Sequence, residues 1–112
     1  MRTTPIGCGL TADDPSLAVE DQSFSHATPD GSVWVRVAAR GHVLGVQVEP
    51  AAMRRPGHRL AEQIMACADA GYLEGQVAQR EALVKLWGTD TVVDGMPTER
   101  DFAAAVARLN GM

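Results

Sequence analysis

The sequence predicts an α+β fold: a three-stranded antiparallel β-meander, a long α-helix and a short C-terminal helix. Apolar residues alternate with other side chains over residues 33–39 and again over 43–48, which is the period of a strand with one buried face. A short segment containing Gly41 joins the two runs, as in a β-hairpin. An apolar stripe at helical spacing then begins near residue 58 or 59 and ends at Gly88, a plausible C-cap.

Each strand of the hairpin has a predicted inner face. The turn Pro29-Asp30-Gly31 folds residues 23–28 back as a further strand, because Pro pre-sets a turn and Gly tolerates positive φ. Pro50 cannot donate a hydrogen bond to the ladder, so we expect the sheet to end there. The predicted inner residues are Val33, Val35, Val37 and Ala39 in the first run and Leu44, Val46 and Val48 in the second.

The predicted central domain covers residues 23–87 and follows an N-terminal segment of residues 1–22. That segment forms either a tail or a short helix, with Asp14 as N-cap and Pro15 in the first turn. We interpret His26 as a surface strand residue rather than a catalytic base, because no carboxylate or nucleophile is indicated beside it.

The predicted long helix is longer than the sheet that it has to cover. A helix of about 30 residues is about 45 Å long, whereas a strand of this kind spans about 20–24 Å. Either the helix breaks, or its far half is covered by a second copy or by the chain's own tail. Cys67, Gly71 and Gly75 lie four residues apart and form either a groove for close helix packing or a bend near Tyr72.

The C-terminal segment, residues 88–112, is predicted to contain a loop and one short helix. Thr98 is the predicted N-cap, and Gly111 ends the helix. One narrow apolar face is expected to fold back on the domain; it consists of Phe102, Val106 and Leu109.

Composition and charge indicate one small domain with segregated charge. The 112 residues carry a formal net charge of −4. Residues 32–59 hold five Arg against one Glu, whereas the segments on either side are acidic. Cys8 and Cys67 show no metal-ligand spacing and indicate a reduced, cytoplasmic protein, and no signal peptide or membrane-spanning run is evident.

No catalytic motif is present, so we expect a protein that is not an enzyme and has no cofactor, metal or small-molecule substrate. The basic cluster is the feature with chemical content, because Arg side chains and helix N-termini bind phosphates without sequence discrimination. A solvated face with local ion pairs accounts for the same residues. The cluster comprises Arg54, Arg55, His58 and Arg59 at the helix start and Arg36, Arg40 and His42 on the hairpin.

Two stretches of the sequence carry a family resemblance. They are residues 27–50, with the Pro-Asp-Gly turn and two strands around Gly41, and residues 60–64, which read Leu-Ala-Glu-Gln-Ile. The chain resembles the YbaB/EbfC family of bacterial nucleoid-associated proteins, actinobacterial members in particular, over about residues 23–86. The resemblance implies a small α/β homodimer, often with DNA-binding activity of low sequence specificity. Relatives also occur among accessory proteins of mycobacterial type VII secretion. The family's long N-terminal helix is at most short here, and residues 88–112 fall outside the pattern.

Two hypotheses follow. The first is a homodimeric, nucleoid-located protein that contacts DNA phosphates through residues nominated by charge alone. The second is a protein-interaction module without DNA binding. Phosphate binding weakens steeply with salt and apolar association does not, so salt dependence separates them. The nominated DNA-binding residues are Arg36, Arg40, Arg54, Arg55 and Arg59, and the nominated packing residues are Cys67, Gly71 and Gly75.

Overall fold

The computed structural model describes residues 22–88 and 93–112, and it confirms the predicted α+β fold. A single helical turn, α1, was not predicted, and the expected N-terminal tail or short helix falls outside the described residues. In chain order the elements are β1 (Ser23–Ala27), β2 (Val33–Ala38), β3 (Val43–Val48), α1 (Pro50–Met53), α2 (Gly57–Trp87) and α3 (Glu99–Asn110).

The sheet is an antiparallel meander with β2 in the middle. The predicted alternation holds in β2, where Val33, Val35 and Val37 are buried while Trp34 and Arg36 are half-buried. Because successive side chains of a strand point to opposite faces, the three valines form the inner face and Arg36 lies on the outer one.

The predicted inner face of β3 is partly wrong. Val46 pairs with Val35, as expected for an inner residue, but a register shift next to Val37 pairs Val37 with Val43 and not with Leu44. Directly opposed residues share a face of the sheet, so Val43 takes the inner position that Leu44 was expected to hold. A bulge adds one residue to a strand, and simple alternation does not reveal it.

The helix α2 runs without interruption from Gly57 to Trp87, so the alternative of a bend near Tyr72 is wrong. Gly88 closes it in the left-handed conformation, with φ of 73° and its N–H donating to the carbonyl of Val84, as the sequence predicts. The helix begins one residue before the earlier of the two predicted starts.

The small residues of α2 let the helix lie directly on the sheet. A Cβ atom added at Gly71 would come within 2.8 Å of Cγ2 of Val37, and one at Gly75 within 3.2 Å of the Cα atom of Ala39. Cys67 is fully buried, with its Sγ 4.0 Å from the carbonyl oxygen of Val33. The row therefore packs against the chain's own β2, so these buried residues offer nothing to a second copy.

The C-terminal helix α3 starts at the predicted cap, where the carboxylate of Asp101 accepts a hydrogen bond from the N–H of Thr98 at 2.8 Å. Its apolar face differs slightly from the prediction. Leu109 and also Ala105 are buried in the core, whereas Phe102 and Val106 are only half-buried.

The chain's own tail covers much of the overlong helix. Arg80 of α2 donates to the carbonyl of Val93 at 3.2 Å, whereas Arg108 near the end of α3 lies 4.0 Å from the carboxylate of Asp69. The later residue of α3 thus meets the earlier part of α2, which makes the two helices antiparallel. Beyond this cover, Leu86 and Trp87 at the end of α2 stay 75% and 63% exposed.

We predict that Gly71→Ala destabilises the domain, although Ala normally favours a helix by about 1 kcal/mol over Gly. The new methyl group would clash with Val37, and overpacking of this kind costs about 1–3 kcal/mol. Urea unfolding would measure the difference. Gly57→Ala is the control, since its added Cβ meets nothing within 4 Å. Equal midpoints for the two variants would contradict the close packing of α2 on β2.

Candidate interaction surface

The turn between β1 and β2 is built around the carboxylate of Asp30. This group accepts hydrogen bonds from the hydroxyl of Thr28 at 2.7 Å and from the hydroxyl and N–H of Ser32 at 2.8 and 3.1 Å. Nη2 of Arg55 also donates to it at 2.6 Å. Together these donors, the Thr28 hydroxyl foremost, hold the pKa of Asp30 well below its usual range.

Arg55 joins this turn to the start of the long helix. Its Nη1 donates to Oε1 of Gln63 at 2.7 Å, while its Nη2 contacts Asp30. Gln63 is only 5% exposed, so the guanidinium satisfies an amide oxygen that burial removes from water. We call these five residues, Thr28, Asp30, Ser32, Arg55 and Gln63, the Asp30–Arg55 network. Within it Arg55 holds two chain segments together.

The other nominated arginines do not form one patch. Arg54 and Arg59 are exposed beside the start of α2, whereas Arg40 is exposed in the turn between β2 and β3. That turn lies against Tyr72, because a Cβ at Gly41 would come within 3.2 Å of the Tyr72 ring. About 20 Å of helix axis separates Arg59 from Tyr72, given the rise per residue of an α-helix.

Arg36 lies apart from both groups, since it projects from the outer face of β2. Its Nε donates to the hydroxyl of Ser23 at 2.8 Å. By contrast, Arg40, Arg54 and Arg59 make no ion pair or side-chain hydrogen bond with any residue of 22–88 or 93–112. Of the five nominated arginines, these three therefore present their guanidinium groups without a partner in the described part of the chain.

Sequence reasoning missed the partner of His26. Its Nε2 lies 2.7 Å from Oε1 of Glu74, and its ring makes an edge contact with Phe102 at a centroid distance of 5.8 Å. His26 of β1 is therefore half-buried between the sheet, α2 and α3. The expectation of a surface residue without a neighbouring carboxylate is wrong. Residues so far apart in the chain leave no signal in one sequence.

An apolar surface remains uncovered on the inner side of the sheet. α2 packs on β1 and β2 but leaves β3 open, so the inner-face residues Val43 and Val46 are 50% and 44% exposed. Met65 and Tyr72 lie about two turns apart on α2, and the contact of Tyr72 with Gly41 places this flank of the helix toward β3. We call Val43, Val46, Met65 and Tyr72 the β3–α2 face.

The small-residue row contains the described chain's one free thiol, which belongs to the interior and not to this face. Burial raises the pKa of Cys67 to about 11, so the thiolate that would bind metals or act as a nucleophile is disfavoured at neutral pH.

Residues 22–88 and 93–112 hold no group of three or more His, Cys, Asp or Glu side chains able to hold a metal ion. None of the helices within these ranges is both long and apolar enough to cross a membrane.

We predict that the Asp30–Arg55 network makes stability depend on pH in the acid range. The folded-state pKa of Asp30 is lowered, so its contribution is complete above the pKa of an unfolded Asp, about 3.9, and is lost as the pH falls below that value. Asp30→Asn should lower the urea midpoint at neutral pH, and its difference from the wild type should shrink progressively below about pH 4. Glu62→Gln, an exposed acid of α2, is the control. A difference that does not change with pH would overturn this assignment.

Comparison with known families adds one finding. A family described as "Protein of unknown function (DUF2694)" matches residues 11–111, which is most of the chain. Comparisons with curated proteins and with solved structures found no match. The family description names no activity. By this match, the chain belongs to the DUF2694 family.

Proposed function

We propose that the protein is a protein-interaction module that binds an apolar protein surface through the β3–α2 face. The observation that carries this proposal is the set of exposed apolar side chains on the inner side of β3 and on the adjoining flank of α2. Soluble monomers rarely expose contiguous apolar patches larger than a few hundred Å² unless the patch binds something.

The composition of the face fits protein association. Tyr and Met are enriched in protein–protein interfaces, where charged residues are depleted from the centre. All four residues of the β3–α2 face are uncharged, although the chain carries 24 charged side chains. Burying such a face removes apolar area from water without leaving an unpaired charge.

The use of the polar groups supports a binding role rather than catalysis. Asp30 and Arg55, the most extensively hydrogen-bonded charged pair of the described chain, bind each other and neighbouring groups of the same domain. Glu74 and His26 likewise form a contact between a strand and a helix. These polar groups stabilise the packing of the elements, whereas the β3–α2 face has no such internal contact among the described residues to explain its composition.

The test is site-specific photo-cross-linking in cells of the source organism. A benzophenone side chain placed at Tyr72 or Met65 should give discrete protein adducts, because the probe would lie inside the proposed interface. The same probe at Glu81, an exposed polar position of α2, is the matched control. Mass spectrometry would identify the adducts, including adducts with a second copy. Adducts no more frequent than at Glu81 would overturn the proposal.

DNA binding is the second candidate, and the exposed arginines beside α2 favour it. Arg54 and Arg59 flank the start of a 31-residue helix whose first turn contains no acidic residue, so the positive end of the helix dipole adds to their charge. A nucleoid protein would use such groups for phosphate contacts, and a dimer would double their number. Arg55 is less suited to this role, since its guanidinium is held by Asp30 and Gln63.

If DNA is bound, we predict that Arg54→Ala with Arg59→Ala weakens binding uniformly across sequences and lowers the slope of log affinity against log salt by about 0.9 for each phosphate that is no longer neutralised. Fluorescence anisotropy with a generic duplex across a salt series measures both quantities. Arg100→Ala with Arg108→Ala is the control, because these two lie on α3. Absence of binding at low salt would remove this candidate and leave the interaction module unaffected.

A further inference from the structure

β3 forms an edge of the sheet that is regular and uncharged after its bulge at Leu44. The strand order β1-β2-β3 leaves one side of β3 without a partner strand among the described residues. Edge strands are normally blocked by charged side chains, by Pro, by β-bulges or by a covering element, because their free backbone groups pair readily with another chain. β3 has one bulge, at Leu44, and residues 45–48 beyond it pair in regular register with β2. Val43–Val48 reads Val-Leu-Gly-Val-Gln-Val, without charge or Pro, and exposes half of Val43 and of Leu44.

The opposite edge of the sheet is different. In β1, His26 contacts Phe102 of α3 and Glu74 of α2, so helices reach over this side of the inner face. The strand is also more polar, with the sequence Ser-Phe-Ser-His-Ala. Of the two edge strands, β3 is the one that has both an uncovered inner face and no charged residue.

The ladder shows which backbone groups of β3 point outward. The N–H of Glu49 donates to the carbonyl of Ser32 at 2.8 Å, so Glu49 faces β2. Along an antiparallel strand, the backbone N–H and C=O groups of successive residues point alternately toward the two neighbouring strands. The groups of Val48 and Val46 therefore point away from β2. Each outward residue offers one donor and one acceptor to a further strand.

We propose that β3 pairs antiparallel with β3 of a second copy, around Val46, and so joins two three-stranded sheets into one six-stranded sheet. This inference rests on the proposed function and deepens it, since it names a second copy of this chain as the partner next to the β3–α2 face. A strand that pairs with itself forms an isologous two-fold interface, in which each copy uses the same residues. The two-fold axis is perpendicular to the plane of the sheet, so both α2 helices lie on the same side of it.

Charge at the two ends of β3 selects this arrangement. Arg40 and His42 precede the strand and Glu49 follows it. Antiparallel pairing brings Glu49 of each copy to the Arg40 end of the other copy. Parallel pairing would instead set Arg40 beside Arg40 and Glu49 beside Glu49, and like charges at such positions are destabilising.

The pairing also accounts for the exposed valines. Val46 of one copy would lie directly beside Val46 of the other, and Leu44 beside Val48, so apolar side chains meet across the new ladder. The inner residues of both β3 strands then form the floor between the two α2 helices. Tyr72 of each copy borders this floor, which makes the β3–α2 faces of the two copies continuous.

The first test is thiol cross-linking across the proposed two-fold axis. Val46→Cys in a Cys8→Ser background should give a covalent dimer with a short bismaleimide, because the two introduced thiols would lie on adjacent strands. Cys67 is buried and is retained in every variant. Ser25→Cys, an exposed position on the opposite edge strand, is the matched control. Cross-linking that is absent at position 46, or equal at position 25, would overturn the pairing.

The second test exchanges charges and does not depend on the apolar residues. Glu49→Arg alone and Arg40→Glu alone should each weaken the dimer several-fold in sedimentation velocity across a dilution series. The combined variant should recover the wild-type affinity, since it restores opposite charges in both symmetry-related contacts. Single variants that dimerise like the wild type, or a double variant weaker than either, would refute antiparallel pairing.

The outcomes separate this inference from the proposed function. A monomer at all concentrations whose Tyr72 probe captures a different protein would refute self-pairing and keep the interaction module. A dimer that gives no cross-link at position 46 and is unaffected by the charge variants would refute this geometry, and the Tyr72 probe would then decide the interaction module on its own. A monomer whose probe captures nothing beyond the Glu81 control would refute both.

Discussion

The close approach of α2 to β2 is the contact on which the rest of the structure depends. With Gly71 against Val37 and Gly75 against Ala39, the helix backbone lies directly on the central strand. Larger side chains would raise the helix and open a gap above the inner valines, and interiors tolerate such gaps poorly. The row of small residues thus sets the depth of the core and the line along which the helix crosses the sheet.

That line leaves the two edges of the sheet in different environments. On the β1 side, α3 returns antiparallel along α2, and Phe102 reaches His26, so the chain's own tail covers the inner face beside this edge. On the β3 side no described element fills the corresponding place. Val43 and Val46 have the inner orientation of core residues, yet each keeps a large exposed fraction. The exposed apolar surface is therefore a consequence of placing two helices asymmetrically on three strands.

Some of the charged side chains pair within the domain, and others of the same type face solvent. The turn at Asp30 and the start of α2 come together, and Arg55 is held between the carboxylate of Asp30 and the amide oxygen of Gln63. Two hydrogen bonds from different nitrogens to two separate acceptors, one of them charged, fix the orientation of the guanidinium. Arg54 and Arg59, which lie close to Arg55 in the sequence, stay exposed. Adjacent basic residues can thus serve opposite purposes, one holding the fold together and the others facing solvent.

The sequence by itself determined the three strands, the two longer helices and their order, but not the single turn α1. Alternating valines specify β2, the Pro-Asp-Gly turn specifies the first hairpin, and apolar stripes and caps specify α2 and α3, because each signal is local and has a fixed geometric period. Only the tertiary structure decided which of these surfaces is covered. The bulge that exchanges Leu44 for Val43, the pairing of His26 with Glu74 and the capture of Arg55 by Asp30 all join residues from different elements. Burial and charge partners depend on such contacts in space, so a pattern read along one chain identifies the residues without revealing what they touch.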